Sequence, residues 1–171
     1  MRTLMIAAVF CGVAAAMPAS AAGPCAAPEY RQLDFWVGDW NARFDDGKVG
    51  VASGRNIVTR ILGDCAIEEN FDGNPGTKLV GRSLSIYDGR AKTWRQTWVD
   101  DQGGVFVLTG GPEGKDFVLR TAPFGEGGKA QLRMLFTDIA PNSFTWLWQK
   151  SSDAGATWVT SWRIDYARRG E

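Results

Sequence analysis

The chain has 171 residues, with 19 basic and 19 acidic side chains, a formal net charge of zero and no histidine. Because the charges are balanced and form no basic stripe, the electrostatic footprint of a nucleic-acid-binding protein is missing. The lack of histidine excludes a Ser-His-Asp triad, a Cys-His pair and His-ligated zinc or haem. The sequence therefore implies no cofactor and no nucleic-acid partner.

The first 21 residues have the pattern of a secretory signal peptide. Arg2 gives a positive start, residues 4–17 form an apolar run, and residues 19–21 (Ala-Ser-Ala) fit the small-x-small cleavage rule. The run is too short for a stable membrane span, and no second apolar segment of that length follows it. The sequence therefore predicts a periplasmic or secreted protein without a stable membrane span.

Two cysteines follow the predicted signal peptide, Cys25 and Cys65. In an oxidising compartment an even count favours a disulfide. This disulfide would tether a predicted N-terminal arm, residues 22–32, to a single domain formed by residues 33–168. A metal pair is the weaker alternative, because two cysteines without a histidine cannot complete a zinc site.

Short runs rich in aromatic and β-branched residues fill the remainder of the chain, separated by Gly- and Asp-rich turns. Turns such as residues 45–47, 88–90, 101–104 and 112–114 would join antiparallel neighbours as hairpins, and closure of the sheet would remove its edges. The sequence therefore predicts an all-β fold, a single antiparallel up-and-down β-barrel of about ten strands. The predicted strands are residues 33–44, 49–62, 66–71, 79–87, 93–100, 105–109, 117–121, 130–138, 143–150 and 157–167.

The eight tryptophans fall in four pairs at even spacing along these runs. Even spacing on a strand places both members of a pair on one face. On the last strands that face also carries Phe144, Ile164 and Tyr166. The rings either fill the core, which is the commoner use of aromatic residues, or line an internal pocket. The pairs are Trp36/Trp40, Trp94/Trp98, Trp146/Trp148 and Trp158/Trp162.

A barrel of this size encloses room for one small ligand, and such pockets combine apolar walls with a few polar groups. Glu69 shares a face with Ile67 and Phe71, which makes it the better inward-facing carboxylate of the Glu68-Glu69 pair. The aspartates at 45–46 and 100–101 stand in predicted turns, where we expect them to be solvated. The candidate ligand-binding residues are Glu69, Gln96, Trp98, Arg133, Trp146 and Trp148.

Residues 151–158 (SSDAGATW) resemble the Asp-box turn of sialidases and other β-propellers. In that turn the Asp side chain bonds backbone amides and the Trp packs beneath it. A sialidase would need several copies and a far longer chain, so the single box predicts a structural hairpin turn between the last two strands. The matching residues are Ser151, Asp153, Gly155, Thr157 and Trp158.

Gly38-Asp39-Trp40, on the predicted first strand, resembles the G-x-W signature of lipocalins within the calycin superfamily. The resemblance implies that Trp40 packs at the closed end of the barrel against an arginine near the last strand, either Arg163 or Arg168. Ten strands would be closer to the fatty-acid-binding and nitrobindin-like branches. Nitrobindin-like proteins hold haem through a histidine, which this chain lacks, so haem binding is not implied.

Four segments together are similar to a family of secreted bacterial proteins of unknown function, which are thought to be calycin-like barrels. The likeness implies a fold and a compartment, and it implies no activity. Three functions stay open: binding of a small, largely apolar molecule; an enzyme that uses a buried carboxylate such as Glu69; and a pocketless envelope interaction module with an exposed aromatic patch, for instance around Trp36. The segments are residues 35–40, 83–88, 94–100 and 151–158.

Overall fold

The computed structural model describes residues 23–45 and 51–170, which form ten antiparallel strands in up-and-down order. The last strand pairs with the first, so the sheet closes into a barrel. This confirms the predicted fold class and is consistent with a calycin-like fold. The predicted signal peptide lies outside the described residues. The strands are β1 (Gly38–Asp45), β2 (Val51–Ile61), β3 (Ala66–Asp72), β4 (Val80–Asp88), β5 (Thr93–Asp100), β6 (Val105–Glu113), β7 (Asp116–Thr121), β8 (Gln131–Ala140), β9 (Ser143–Ser151) and β10 (Val159–Arg168).

Strand β5 shows how the sequence pattern produces the barrel. Its residues at even positions, Trp94, Gln96 and Trp98, are buried inside, whereas the residues between them are exposed outside. Side chains on a strand alternate between faces, so this pattern fixes which face is the interior. A shift of one residue would expose both indoles.

The first strand starts later than the sequence predicted. Residues 33–37 do not extend it; a 3₁₀ turn, Asp34–Trp36, follows an earlier 3₁₀ turn, Pro28–Arg31, and crosses one end of the barrel. The apolar side chains that suggested a strand close this end instead, since Leu33 is 0% and Trp36 2% exposed. Trp36 and Trp40 therefore do not share a strand face, and the predicted pairing was wrong.

Strand β6 is longer than predicted. It continues to Glu113. Of the turn predicted at residues 112–114, only Gly114 lies outside the strand. Gly110 permits this extension, because an added Cβ would overlap the carbonyl oxygen of Val118 on the neighbouring strand. Gly110 thus allows two strands to approach closely.

A β-bulge between Thr160 and Trp162 corrects the prediction for the last tryptophan pair. A bulge inserts one extra residue and reverses the alternation of faces. Trp162 points into the barrel, whereas Trp158 lies before β10 on the outside and packs under the guanidinium of Arg133, 4.1 Å from the ring centroid.

The predicted disulfide is present. Cys25 and Cys65 are bonded, with Cα atoms 5.1 Å apart and positions separated by 40 in sequence. The bond ties the N-terminal segment to the turn between β2 and β3, and Arg31 reinforces it by donating hydrogen bonds to the carbonyl oxygens of Cys25 and Asp64. Within residues 23–45 and 51–170, no helix has the length and apolar character needed to cross a membrane.

Candidate functional site

A cavity of about 160 Å³ lies inside the barrel, at the end away from the two N-terminal 3₁₀ turns, Pro28–Arg31 and Asp34–Trp36. Its walls come from strand positions near that end, such as Phe71 on β3, Trp98 on β5 and Trp148 on β9. The lining is mostly apolar, with three polar side chains. The polar lining residues are Glu69, Asp100 and Tyr166; the others are Phe71, Leu79, Trp98, Phe106, Met134, Trp146, Trp148, Trp162 and Ile164.

Six aromatic side chains form a continuous ring around this cavity, which we call the aromatic collar. Neighbouring rings in the collar have centroids 5.0 to 6.3 Å apart. Trp146 stands at 89° to Trp162 and nearly parallel to Trp148, at 5°. Cross-strand pairing of Trp98 with Phe106 closes the ring. The collar consists of Phe71, Trp98, Phe106, Trp146, Trp148 and Trp162.

Trp98 is held in place by two neighbours. Its indole Nε1 donates a hydrogen bond to Asp100 Oδ2 at 3.0 Å. The ring lies over Gly81, where an added Cβ would overlap the indole carbons. Asp100 also accepts hydrogen bonds from the amides of Gln102 and Gly104, and the Trp98 bond is the first cause of the lowered pKa of its carboxyl. Asp100 therefore carries its negative charge at the cavity wall.

Glu69 is the second carboxylate of the cavity, and it is 6% exposed. Its two oxygens accept hydrogen bonds from different strands: Asn56 Nδ2 on β2 donates to Oε1 at 2.8 Å, and Ser83 Oγ on β4 donates to Oε2 at 2.7 Å. Asn56 Nδ2 also lies 3.3 Å from the hydroxyl oxygen of Tyr166 on β10. The carboxylate is thus fixed in orientation by neutral donors, and no Lys or Arg among the described residues pairs with it.

Burial raises the pKa of Glu69 to about 7, and the hydrogen bonds from Ser83 and Asn56 oppose that rise only in part. Desolvation disfavours the charged form of a carboxyl, and the two neutral donors offset this cost less than a cationic partner would. Burial, reinforced by the nearby Glu69 charge, also raises the pKa of Tyr166 well above its ordinary value. Near neutral pH, Glu69 can hold or release a proton while Tyr166 remains a neutral hydroxyl.

Four of the six predicted ligand-binding residues line the cavity: Glu69, Trp98, Trp146 and Trp148. Even spacing along three strands was enough to place them inside. Their role in ligand binding stays a prediction.

Gln96 points inward as predicted, but it does not line the cavity. It is 1% exposed, and its Nε2 donates to Ser85 Oγ at 2.9 Å. Its Oε1, like Asn56 Oδ1, is a buried acceptor with no donor among the described residues. Gln96 thus belongs to a polar layer between the cavity and the closed end.

Arg133 lies outside the barrel, which corrects its prediction as an inward candidate. Met134, the next residue on β8, takes the interior position and lines the cavity. The Arg133 Nε donates to Gln149 Oε1 at 2.6 Å on the outer face, beside Trp158. The cause is strand alternation, because Arg133 shares its face with Leu135 and not with Phe136.

Sequence reasoning missed two polar residues of the site, Asp100 and Tyr166. Asp100 was expected to be solvated because it borders a turn, yet it sits two residues after Trp98 and so faces the same side. Tyr166 had been placed on the inner face with Ile164, but its link to Asn56 joins residues 110 apart in sequence. Even spacing could have found Asp100; the link could not be read from the sequence.

At the opposite end, Trp36, Gly38 and Trp40 pack together with Arg168, and we call these four residues the latch. Trp40 is 0% exposed, its Nε1 donates to the Trp36 carbonyl at 2.8 Å, and the guanidinium of Arg168 lies 4.2 Å from its ring centroid. Gly38 makes room for that guanidinium, since an added Cβ would overlap Arg168 Nη1. The sequence left undecided whether Arg163 or Arg168 packs against Trp40, and in the structure it is Arg168. Arg163 is exposed and pairs with Asp165, which corrects its structural role.

The Asp-box segment forms a turn between β9 and β10, as predicted. Asp153 accepts hydrogen bonds from the Thr157 amide at 2.9 Å and from the Ser151 hydroxyl at 2.7 Å. Hydrogen bonds from the Thr157 hydroxyl and amide are the main reason that the pKa of Asp153 falls to about 2. Trp158 Nε1 donates to the Gly155 carbonyl at 3.0 Å, which anchors the ring to its own turn.

Among residues 23–45 and 51–170, no three His, Cys, Asp or Glu side chains come together as metal ligands would. Compared with models of protein families and with curated proteins, the sequence matches none. The site must therefore be interpreted from its own geometry.

Proposed function

We propose that this protein is a periplasmic or secreted, calycin-like binding protein for one small, largely apolar molecule. The observation that carries the proposal is the cavity inside the aromatic collar. Ligand sites are typically concave, mainly apolar and equipped with a few polar groups that fix orientation. Here Glu69, Asp100 and Tyr166 are those groups. The disulfide and the resemblance to secreted barrels support the compartment.

The size of the cavity limits the ligand. Its volume of about 160 Å³ is close to the roughly 150 Å³ of an apolar cavity that binds benzene. The cavity therefore suits a molecule, or the end of a molecule, about as large as one six-membered ring. A longer ligand would leave its remainder outside the collar.

The proposal is tested by exposing the purified protein to a lipid and small-molecule extract and identifying what it retains by native mass spectrometry. We expect retention of a small compound by the wild type and loss of retention in Met134→Trp, which fills the cavity from β8. Val107→Trp, on the exposed outer face of β6, is the matched control and should retain the compound. Retention by Met134→Trp, or none by the wild type, would contradict the proposal.

A second candidate, an enzyme acting on such a molecule, is favoured by Glu69. A general base works best with a pKa near the ambient pH, and the pKa of Glu69 is about 7 inside the cavity. In that case the wild type would return a retained compound in chemically altered form, and Glu69→Gln would return it unchanged. Recovery of the same compound from both proteins would reject catalysis and leave binding.

The third function, a pocketless interaction module, was expected to show an exposed aromatic patch, for instance around Trp36. The aromatic patch around Trp36 is not exposed, because Trp36 is buried under the closed end of the barrel.

A further inference from the structure

The ionisable groups of the cavity have one sign. Glu69 and Asp100 are acids, and the described residues that line the cavity include no Lys or Arg. The lowered pKa of Asp100 keeps it ionised, and Glu69 has only the neutral donors Asn56 and Ser83. An anionic ligand would meet two carboxylates and no counter-charge. The cavity therefore disfavours the binding of anions.

A wholly apolar ligand would also leave the charge of Glu69 without a cationic partner. It would fill the collar and exclude water from Glu69, which would then be buried either as an unpaired charge or in its protonated form. Each oxygen of Glu69 already accepts one hydrogen bond, and a carboxylate offers about four acceptor positions in total. Glu69 keeps capacity for a positive group, and no Lys or Arg in the described part of the chain pairs with it.

The aromatic collar supplies the other half of a cation site. Aromatic rings carry negative charge on their faces and attract ammonium groups within about 6 Å of the centroid. Trp146 and Trp162 meet at 89°, so these two walls of the cavity form a corner. Such a box of rings accepts an ammonium group whose alkyl substituents contact the rings while the charge faces Glu69.

Resting on the proposed binding function, we propose that the ligand is a small organic cation with an alkylated ammonium head, held inside the aromatic collar against Glu69. The alkyl substituents contact the apolar walls, and the positive charge supplies the cationic partner that the described residues do not provide for Glu69. No hydrogen bond from the head is needed, because neighbouring residues already orient the carboxylate.

The test uses three probes of the same shape and different charge: choline, the neutral 3,3-dimethylbutan-1-ol and the anionic 3,3-dimethylbutanoate. Each is titrated into the full protein at pH 8 by isothermal calorimetry. We expect choline to bind at least about tenfold more tightly than the alcohol, since cation–aromatic attraction is strongest in a desolvated site. The anion should bind weakest.

The outcomes separate this inference from the function on which it rests. If the alcohol binds as tightly as choline or more tightly, the cation is rejected while an apolar binding site remains. If no probe binds, both the cation and the small-molecule site are rejected. A preference for the anion would reject the cation as well.

Variants test the part played by Glu69. Glu69→Gln should weaken choline binding at pH 8 by about tenfold, to the affinity that the aromatic collar provides without this carboxylate, and leave the affinity for the alcohol unchanged. Glu68→Gln makes the same change one residue earlier, on the other face of β3, and should change neither affinity. Equal loss of choline affinity in both variants, or none in Glu69→Gln, would overturn the proposal.

The pH dependence gives a second readout that a structural role would not produce. In the wild type, choline affinity should fall about tenfold from pH 8 to pH 6 as Glu69 takes up a proton. The other groups around Glu69 do not titrate there: Asn56 and Ser83 are neutral, Asp100 stays ionised and Tyr166 stays protonated. A pH-independent affinity in the wild type would contradict the proposal.

Discussion

The two ends of this barrel use the same kind of residue for opposite purposes. At the closed end, Trp36 packs against Phe136, Trp40 packs against Phe144, and Arg168 covers Trp40. At the open end, the aromatic collar surrounds a cavity that contains two carboxylates. Tryptophan content alone therefore does not distinguish core from site. The distinction is made by whether polar side chains share the space between the rings.

The largest expected effect is a difference in free energy of unfolding between substitutions at the two ends. Trp40→Ala removes a fully buried ring and should lower the free energy of unfolding by about 3–5 kcal/mol. Trp148→Ala removes a partly buried ring that already borders empty space, so we expect a loss below about 2 kcal/mol. Urea unfolding measures both. Equal losses of unfolding free energy in the two variants would contradict the distinction between a close-packed latch and a collar that borders empty space.

The disulfide should matter for the closed end and not for the collar. Cys25→Ser combined with Cys65→Ser opens a loop of 40 residues, and chain-entropy arguments give a loss of about 4 kcal/mol. Unfolding measured with and without reductant should reproduce this loss in the wild type. Because neither cysteine touches the cavity, ligand retention by the folded double variant should match the wild type; lost retention would show that the two ends are coupled.

Glu69 should give the open end a pH-dependent stability. Its pKa rises from the ordinary 4.5 to about 7 on folding, so between these values the folded protein binds more protons than the unfolded chain. Stability therefore falls as pH rises through this window, by about 3 kcal/mol in total. Urea unfolding at pH 5 and pH 8 should show most of this decrease in the wild type, and Glu69→Gln should abolish it.

The reverse slope, or the same slope in Glu69→Gln, would contradict the buried position of this carboxylate. Carboxyls with lowered pKa, such as Asp153 and Asp165, change protonation below this window, and the chain has no histidine. Tyr166 titrates above it.

The smallest expected effect concerns the latch. Gly38→Ala places a Cβ where Arg168 Nη1 lies, so the guanidinium must leave Trp40 and the Val37 carbonyl. We expect a loss of about 1–2 kcal/mol, the sum of a cation–aromatic contact and a hydrogen bond. Arg168→Ala should cost a similar amount, and the double variant should cost no more than either. Additive losses would show that Gly38 and Arg168 act independently.

Much of the barrel could be predicted because strand alternation and turn residues are local signals. They gave ten strands, the inward position of Glu69 and the inward faces of Trp98, Trp146 and Trp148. The same local signals failed where tertiary structure decided the outcome. Residues 33–37 have the composition of a strand, yet their apolar side chains are buried by crossing the end of the barrel.

The site was predicted only in part, for two physical reasons. One inserted residue before Trp162 reverses the faces of β10, and sequence spacing does not show a bulge. The environment of Glu69 comes from β2, β4 and β10 together, through Asn56, Ser83 and Tyr166. Strand alternation shows that each side chain points inward, but the order and register of strands decide which ones meet.

The most direct test of the difference between the two ends is a crystal structure of the protein under xenon pressure. Xenon enters apolar cavities of about this size and does not enter close-packed cores. We expect a xenon atom inside the aromatic collar, in contact with Met134 and Trp148, and none near Trp36 or Trp40. A collar without xenon, or xenon bound at the closed end, would contradict it.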